Sequence, residues 1–181
     1  MDEKNFFKEL QQYEKKYREN IYIDAFYSFL KRYGQDSFFK ELEAGHITAS
    51  GWLVDKNFEE TLLVYHKKLK KLIQPGGHCE RSDDSVRLAA LRELREETAL
   101  QDIIPVNNDI FHIAIHEVST DTGKHLHYDV CYLFTCNNKQ MILSSEESDY
   151  IKWYPLEDLK YMDHMDITVL EMAEKTKMFW S

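Results

Sequence analysis

The sequence predicts an α/β fold in which the strands of a mixed sheet are flanked by helices, preceded by a helical extension at the N-terminus. Three observations predict it. Apolar and aromatic residues recur at helical spacing from residue 3 to 43, the pattern changes to strand-like runs at Gly45, and two further helical segments interrupt or close those runs. The 181 residues suffice for one domain with a real core. We read 1–44 as the extension and 45–181 as the domain that carries the chemistry.

In the extension, Phe6, Leu10, Tyr13, Tyr17, Phe26, Phe29 and Leu30 define the apolar stripe, and Asn20 and Gly34 are the expected interruptions. From Gly45 the runs 46–54 and 61–66 read as a hairpin about Asp55-Lys56-Asn57. Residues 76–83 read as a loop, and Asp84 or Ser85 as the N-cap of a helix ending near Thr98. Strands are expected at 109–118, 126–136 and 151–154, then a short helix from Pro155 to Tyr161 and an amphipathic one over 167–179. Alternation puts Leu126, Tyr128, Val130, Tyr132 and Phe134 on one face, with His125, His127 and Asp129 on the other.

Composition removes several functions. A net charge of −9 argues against binding a nucleic acid polymer, whose phosphates demand a basic surface. No apolar run approaches the length that spans a membrane. Cys79, Cys131 and Cys136 are odd in number and lack metal-site spacing, and the charged start, Met1-Asp2-Glu3-Lys4, is unlike a secretory signal; both predict reduced thiols in a cytoplasmic protein.

The residues that point to chemistry are Gly76-Gly77-His78 and, after them, Arg92-Glu93-Leu94-Arg95-Glu96-Glu97. At about 100° per residue, Glu97 sits roughly 40° to one side of Glu93 and Glu96 roughly 60° to the other, so one arc holds all three acids. They crowd at the helix C-terminus, where the macrodipole disfavours negative charge. Arg92 pairs with Glu96 at i,i+4, and such faces are ordinarily just solvated. The glycine loop, entered through Pro75, changes the reading, because it lets backbone carbonyls approach closely. Oxygen ligands of this kind suit Mg²⁺, which also binds substrate phosphates.

Gly77, Asp84, Arg92, Glu93, Leu94, Glu96, Glu97 and Leu100 resemble the Nudix box, the signature of hydrolases that cleave a nucleoside diphosphate linked to another group. The match departs in three places. Six residues separate Gly77 from the first acid instead of five, that acid is Asp84 in place of Glu, and Ala99 stands where the family has glycine. The segments 46–50, 66–69 and 125–129 resemble one bacterial branch of the family and extend the likeness over most of residues 46–160. The resemblance implies an α/β/α sandwich, Mg²⁺ (with Mn²⁺ as substitute) as cofactor, and a small nucleotide as substrate. It also implies that Glu93, Glu96 and Glu97 are metal ligands or, for one of them, the base that activates water, with the Gly76 carbonyl as a further ligand and Arg92 orienting a glutamate. Glu80 is a weaker helper, and Glu146 or Glu147 an extra ligand or base. A catalytically inactive Nudix-fold module that binds a nucleotide for regulation is the alternative, and the intact acids argue against it.

Outside the box, Lys67, Lys68, Lys70 and Lys71 are either a solvated hairpin tip or an attractor for substrate phosphates. His78, His127 and Asp129 are candidate substrate contacts; for the last two, a half-wet strand face is the plain alternative. The pairs His125/His127 and His112/His116 each share a strand face, but without a Cys or carboxylate completing the set their spacing argues only weakly for zinc. No proline lies between Pro105 and Pro155, where ADP-ribose-cleaving relatives carry one, and Tyr128 falls in a core position. Elimination leaves a nucleoside triphosphate or small nucleoside diphosphate derivative, with cleansing of damaged nucleotides as the suggested role. The N-terminal helices would cap the pocket or build a homodimer.

Overall fold

The computed structural model describes residues 1–18, 21–67, 69–120, 123–137, 148–163 and 165–179. The elements run α1 (Glu3–Tyr17), α2 (Ile23–Tyr33), β1 (Gly45–Asp55), β2 (Glu60–His66), β3 (Lys71–Ile73), β4 (Gly76–His78), α3 (Val86–Thr98), β5 (Ile103–Thr120), β6 (Gly123–Cys136), β7 (Ser148–Pro155) and α4 (Ile167–Thr176). The strands form a seven-stranded sheet in the order β3-β2-β1-β6-β5, with β4 paired to β1 and β7 to β2. It is a mixed α/β fold, as the sequence predicts. Among the described residues no helix is long and apolar enough to cross a membrane.

Contacts group the chain into two compact units, neither continuous in sequence. The first contains residues 1–50, 77–90 and 108–132. Here Asp2 caps α1 by accepting from the amides of Lys4 and Asn5, and Gly34, at φ +55°, ends α2 where an interruption was expected. The apolar stripe is used within the unit: Phe29 stacks on Tyr128 of β6 at 4.0 Å, and Phe26 meets the same ring edge-on at 5.3 Å. The Tyr132 hydroxyl donates to Glu9 Oε2 at 2.7 Å, and burial pushes the Glu9 carboxyl above its ordinary value. The expected break at Asn20 lies outside the described residues.

The second unit holds residues 51–76, 91–107 and 133–179 of the described chain. Its core centres on Trp52, fully buried, whose Nε1 donates to Thr176 Oγ1 of α4 at 2.8 Å. The turn after β1 is held by Asp55, whose Oδ1 accepts from the amides of Glu59 and Glu60. β2 pairs antiparallel with β7 from Glu60↔Pro155 to Val64↔Ile151, and with β3 from Val64↔Ile73 to His66↔Lys71.

Several elements differ from expectation. β3 and β4 go unread in the sequence, because three residues are too few to show a period. β5 begins at Ile103, six residues before the expected start, and runs through Pro105. It lies at the end of the strand order, where a missing amide hydrogen is tolerated. The short helix after Pro155 is only a 3-10 turn, Leu159–Tyr161, too brief to nucleate an α-helix.

Candidate active site

α3 starts and stops by identifiable means. Ser85 is its N-cap, its Oγ accepting from the amide of Leu88 at 3.2 Å, and Asp84 stands exposed outside the helix. At the other end, Thr98 Oγ1 donates to the Leu94 carbonyl and accepts from the Leu100 amide. Ala99 then takes the left-handed conformation, φ +59°, with its amide bonded to the Arg95 carbonyl at 2.9 Å. This is the cap that glycine makes easily, adopted by alanine at a cost of about 1 kcal/mol.

Between these ends stand the three acids. Arg92 Nη1 donates to Glu93 Oε1 at 2.8 Å and to Glu96 Oε2 at 3.1 Å, so one guanidinium holds two carboxylates of the arc. Glu93 is largely buried, Glu96 is mostly exposed, and Glu97 is half-buried with its Oε2 fully covered. The arc therefore grades from sheltered to wet. Arg92 thus hydrogen-bonds to two glutamates of the arc.

A glycine that the sequence reading overlooked joins this turn to the loop before it. A Cβ on Gly51 of β1 would lie 2.3 Å from Leu94 Cδ1, so a larger residue there would displace the buried Leu94 side chain that seats α3 against the strand. The Gly51 amide also donates to the Pro75 carbonyl at 3.0 Å, fixing the residue that precedes Gly76. One strand position thus anchors both the acids and the proposed carbonyl ligand. A glycine inside a strand pattern was the available signal.

The remaining predicted residues fall in other places. Lys67 and Lys70 are exposed in the turn joining β2 to β3, and Lys71 pairs with Asp166 Oδ2 at 2.8 Å. Lys68, Glu146 and Glu147 lie outside the described residues. Glu80 is exposed and accepts from Ser82 Oγ at 3.2 Å. Asp129 is buried, with Oδ1 accepting from Thr48 Oγ1 at 2.9 Å and Oδ2 from Ser50 Oγ at 2.7 Å. The strand face expected to be half-wet is therefore closed at Asp129, and both oxygens of this carboxylate brace β1 against β6.

His78 and His127 belong to a group of four histidines within the first unit. The His46 ring centre lies 4.9 Å from that of His78, 5.1 Å from His125 and 4.6 Å from His127. Burial, reinforced by the neighbouring rings, pushes His46 down to about 4 and His127 to about 3. Both are neutral imidazoles near pH 7. His46 is 2% exposed and neither ring nitrogen has a hydrogen-bond partner, at a cost of about 1–3 kcal/mol for each buried orphan. His112 and His116 contribute no ring nitrogen to the converging set of His46, His125 and His127, although His116 lies close enough to help hold His127 down.

Comparison with known proteins places the fold and the acidic turn in one class. The family model described as NUDIX domain matches residues 45–172, and the chain belongs to the Nudix family of hydrolases. Enzymes of this family generally use divalent metal ions and act on small nucleotides. The chain is similar to a NUDIX-family hydrolase of known structure from Clostridium perfringens, at 27% identity and a TM-score of 0.63, covering 74% of this chain and 97% of that one. It shares its fold with the NUDIX domain of Shewanella oneidensis NrtR, solved with ADP ribose, at 21% identity and a TM-score of 0.59 over 86% of this chain and 98% of that one. A C. elegans Ap4A hydrolase likewise shares the fold, at 21% identity and a TM-score of 0.55 over 74% and 96%. No curated protein sequence matches the chain.

Proposed function

We propose that the chain is a Mg²⁺-dependent hydrolase, with Mn²⁺ as substitute, that cleaves the pyrophosphate bond of a nucleoside diphosphate linked to another moiety. A nucleoside triphosphate or small nucleoside diphosphate derivative is the favoured substrate. The observation that carries the reading is the α3 turn itself, where Arg92 gathers Glu93 and Glu96 beside Glu97. This all-oxygen donor set fits a hard cation, and the partial burial of Glu93 and Glu97 makes uncompensated charge there costly. A cation bound there supplies charge neutralisation for the diphosphate and a lowered pKa for water.

The chain's own residues do the rest. Glu93, Glu96 and Glu97 are the proposed ligands, with the Gly76 carbonyl, and one of the three glutamates takes the proton from water. Arg92 keeps two of them in register, while Gly51 holds α3 and Pro75. Lys67, exposed, is proposed to meet substrate phosphates, with Lys68 next to it in sequence, and His78, also exposed, is kept as a proposed substrate contact. His127 retains its place as a substrate contact only if no metal takes it. Asp129 is better read as a brace than as a substrate contact, since two hydroxyls occupy its oxygens.

We read residues 1–44 as a helical extension to a catalytic domain at 45–181. A homodimer through α1 and α2 is disfavoured by the burial of Phe6, Leu10, Phe26 and Phe29 within the chain. A cytoplasmic setting is supported by the three buried free thiols. The test is a screen of triphosphates, nucleotide sugars, ADP-ribose and dinucleoside polyphosphates with Mg²⁺, using Glu97→Gln as the blank. Hydrolysis above that blank identifies the substrate, and its absence across the panel overturns the enzyme reading.

A further inference from the structure

We infer that His46, His125 and His127 form a binding site for a divalent transition metal of the zinc class, separate in its ligands from the glutamate turn of α3. The inference does not rest on the proposed hydrolysis. One potential ligand atom from each of the three histidines lies within 4.8 Å of the others. His125 Nε2 and His127 Nε2 are 2.9 Å apart. Nitrogens bound tetrahedrally to zinc at about 2.0–2.1 Å stand about 3.4 Å from one another, so adjustments of at most about 1.4 Å close the set.

One observation points to a ligand, and a second shows how the residue concerned is brought to the site. His46 is buried with both ring nitrogens unpartnered, and a metal would satisfy one of them. The fold also goes out of its way to bring this residue in. Its neighbour Gly45 sits at φ +126°, and a Cβ there would lie 2.3 Å from the Leu126 carbonyl oxygen, the residue between His125 and His127. Only glycine permits that approach, and it delivers His46 to the two histidines of β6.

The chemistry selects the class of ion. Neutral imidazoles offer lone pairs, not positive charge, which favours a cation over a phosphate. Nitrogen ligands suit Zn²⁺, Co²⁺, Ni²⁺ or Cu²⁺, whereas Mg²⁺ prefers oxygen. His78, exposed and with its ring centre 5.4 Å from that of His127, stands beside the three and leaves the fourth position to water or a bound group. The His125/His127 pair lacks a completing ligand in the sequence, and His46 supplies it from another strand.

Co²⁺ titration of chelator-stripped protein tests this, read by the visible ligand-field bands of a tetrahedral site. One Co²⁺ per chain is expected, displaced by stoichiometric Zn²⁺ and insensitive to excess Mg²⁺. His125→Ala and His127→Ala should each weaken binding by about 100-fold or more, while Glu97→Gln leaves the bands intact. Absence of tetrahedral bands in the wild-type protein overturns the inference, as does their survival in both histidine variants or their loss in Glu97→Gln. Circular dichroism of each variant checks folding, and the wild-type spectrum decides alone should a variant not fold.

Discussion

The acidic turn of α3 and the histidine group of β1 and β6 are two clusters of like residues assembled by different means. Glu93, Glu96 and Glu97 meet because a helix repeats every 3.6 residues, and Arg92 offsets their repulsion through two hydrogen bonds. His46, His78, His125 and His127 come from three separated segments and meet only through strand pairing and ring contacts. Each cluster leans on a glycine of β1. Gly51 makes room for Leu94 below the acids, and Gly45 makes room for Leu126 between the histidines. A local cluster tolerates exposure and can exchange ions with water; a tertiary one gathered round a buried residue must keep that residue neutral or find it a ligand. The first arrangement suits turnover and the second suits retention.

Breaking the acidic cluster should have the largest effect. Glu97→Gln is expected to lower kcat by about 10²-fold or more with little change in melting temperature, and a chelator should abolish turnover of the wild-type enzyme. Turnover equal to wild type in that variant would detach the turn from catalysis.

The two glycines test whether the clusters stand on different supports. Gly45→Ala meets backbone at a strained φ and should destabilise by about 3 kcal/mol or more, measured by denaturant unfolding. Gly51→Ala meets only the Leu94 side chain and should cost about 1–3 kcal/mol, with a disproportionate fall in kcat because α3 moves. Equal losses in stability and activity for both variants would erase the distinction between them.

Acid should find the histidine cluster first. The folded values of His46, about 4, and His127, about 3, lie below the ordinary 6.5, so the unfolded chain takes up protons first as pH falls. The contribution is complete above about pH 6.5 and declines through the window down to about pH 4 and then 3. Thermal melts across that range should show the loss, and His127→Ala should blunt it. An unchanged slope in the variant would place the acid sensitivity outside the cluster.

The smallest effect is expected at the end of α3. Ala99→Gly relieves a left-handed alanine and should stabilise by about 1 kcal/mol, seen as a rise in denaturation midpoint. No gain would mean that the flexibility glycine adds to the unfolded chain cancels the relief.

The sequence by itself determined the elements whose signals are local. It showed the helix that ends at Thr98, the interruption at Gly34, the start of the strands at Gly45 and the family of the 76–100 segment, because helical periods, caps and a spaced motif are written within one or two turns of chain. The tertiary structure alone decided what crosses the chain. It paired β1 with β6, turned the Asp129 carboxylate onto Thr48 and Ser50, buried α2 on Tyr128, and carried His46 to residues about eighty positions away. Strand pairing has no sequence period linking its partners, so neither the brace at Asp129 nor the histidine group could be seen until the sheet was formed.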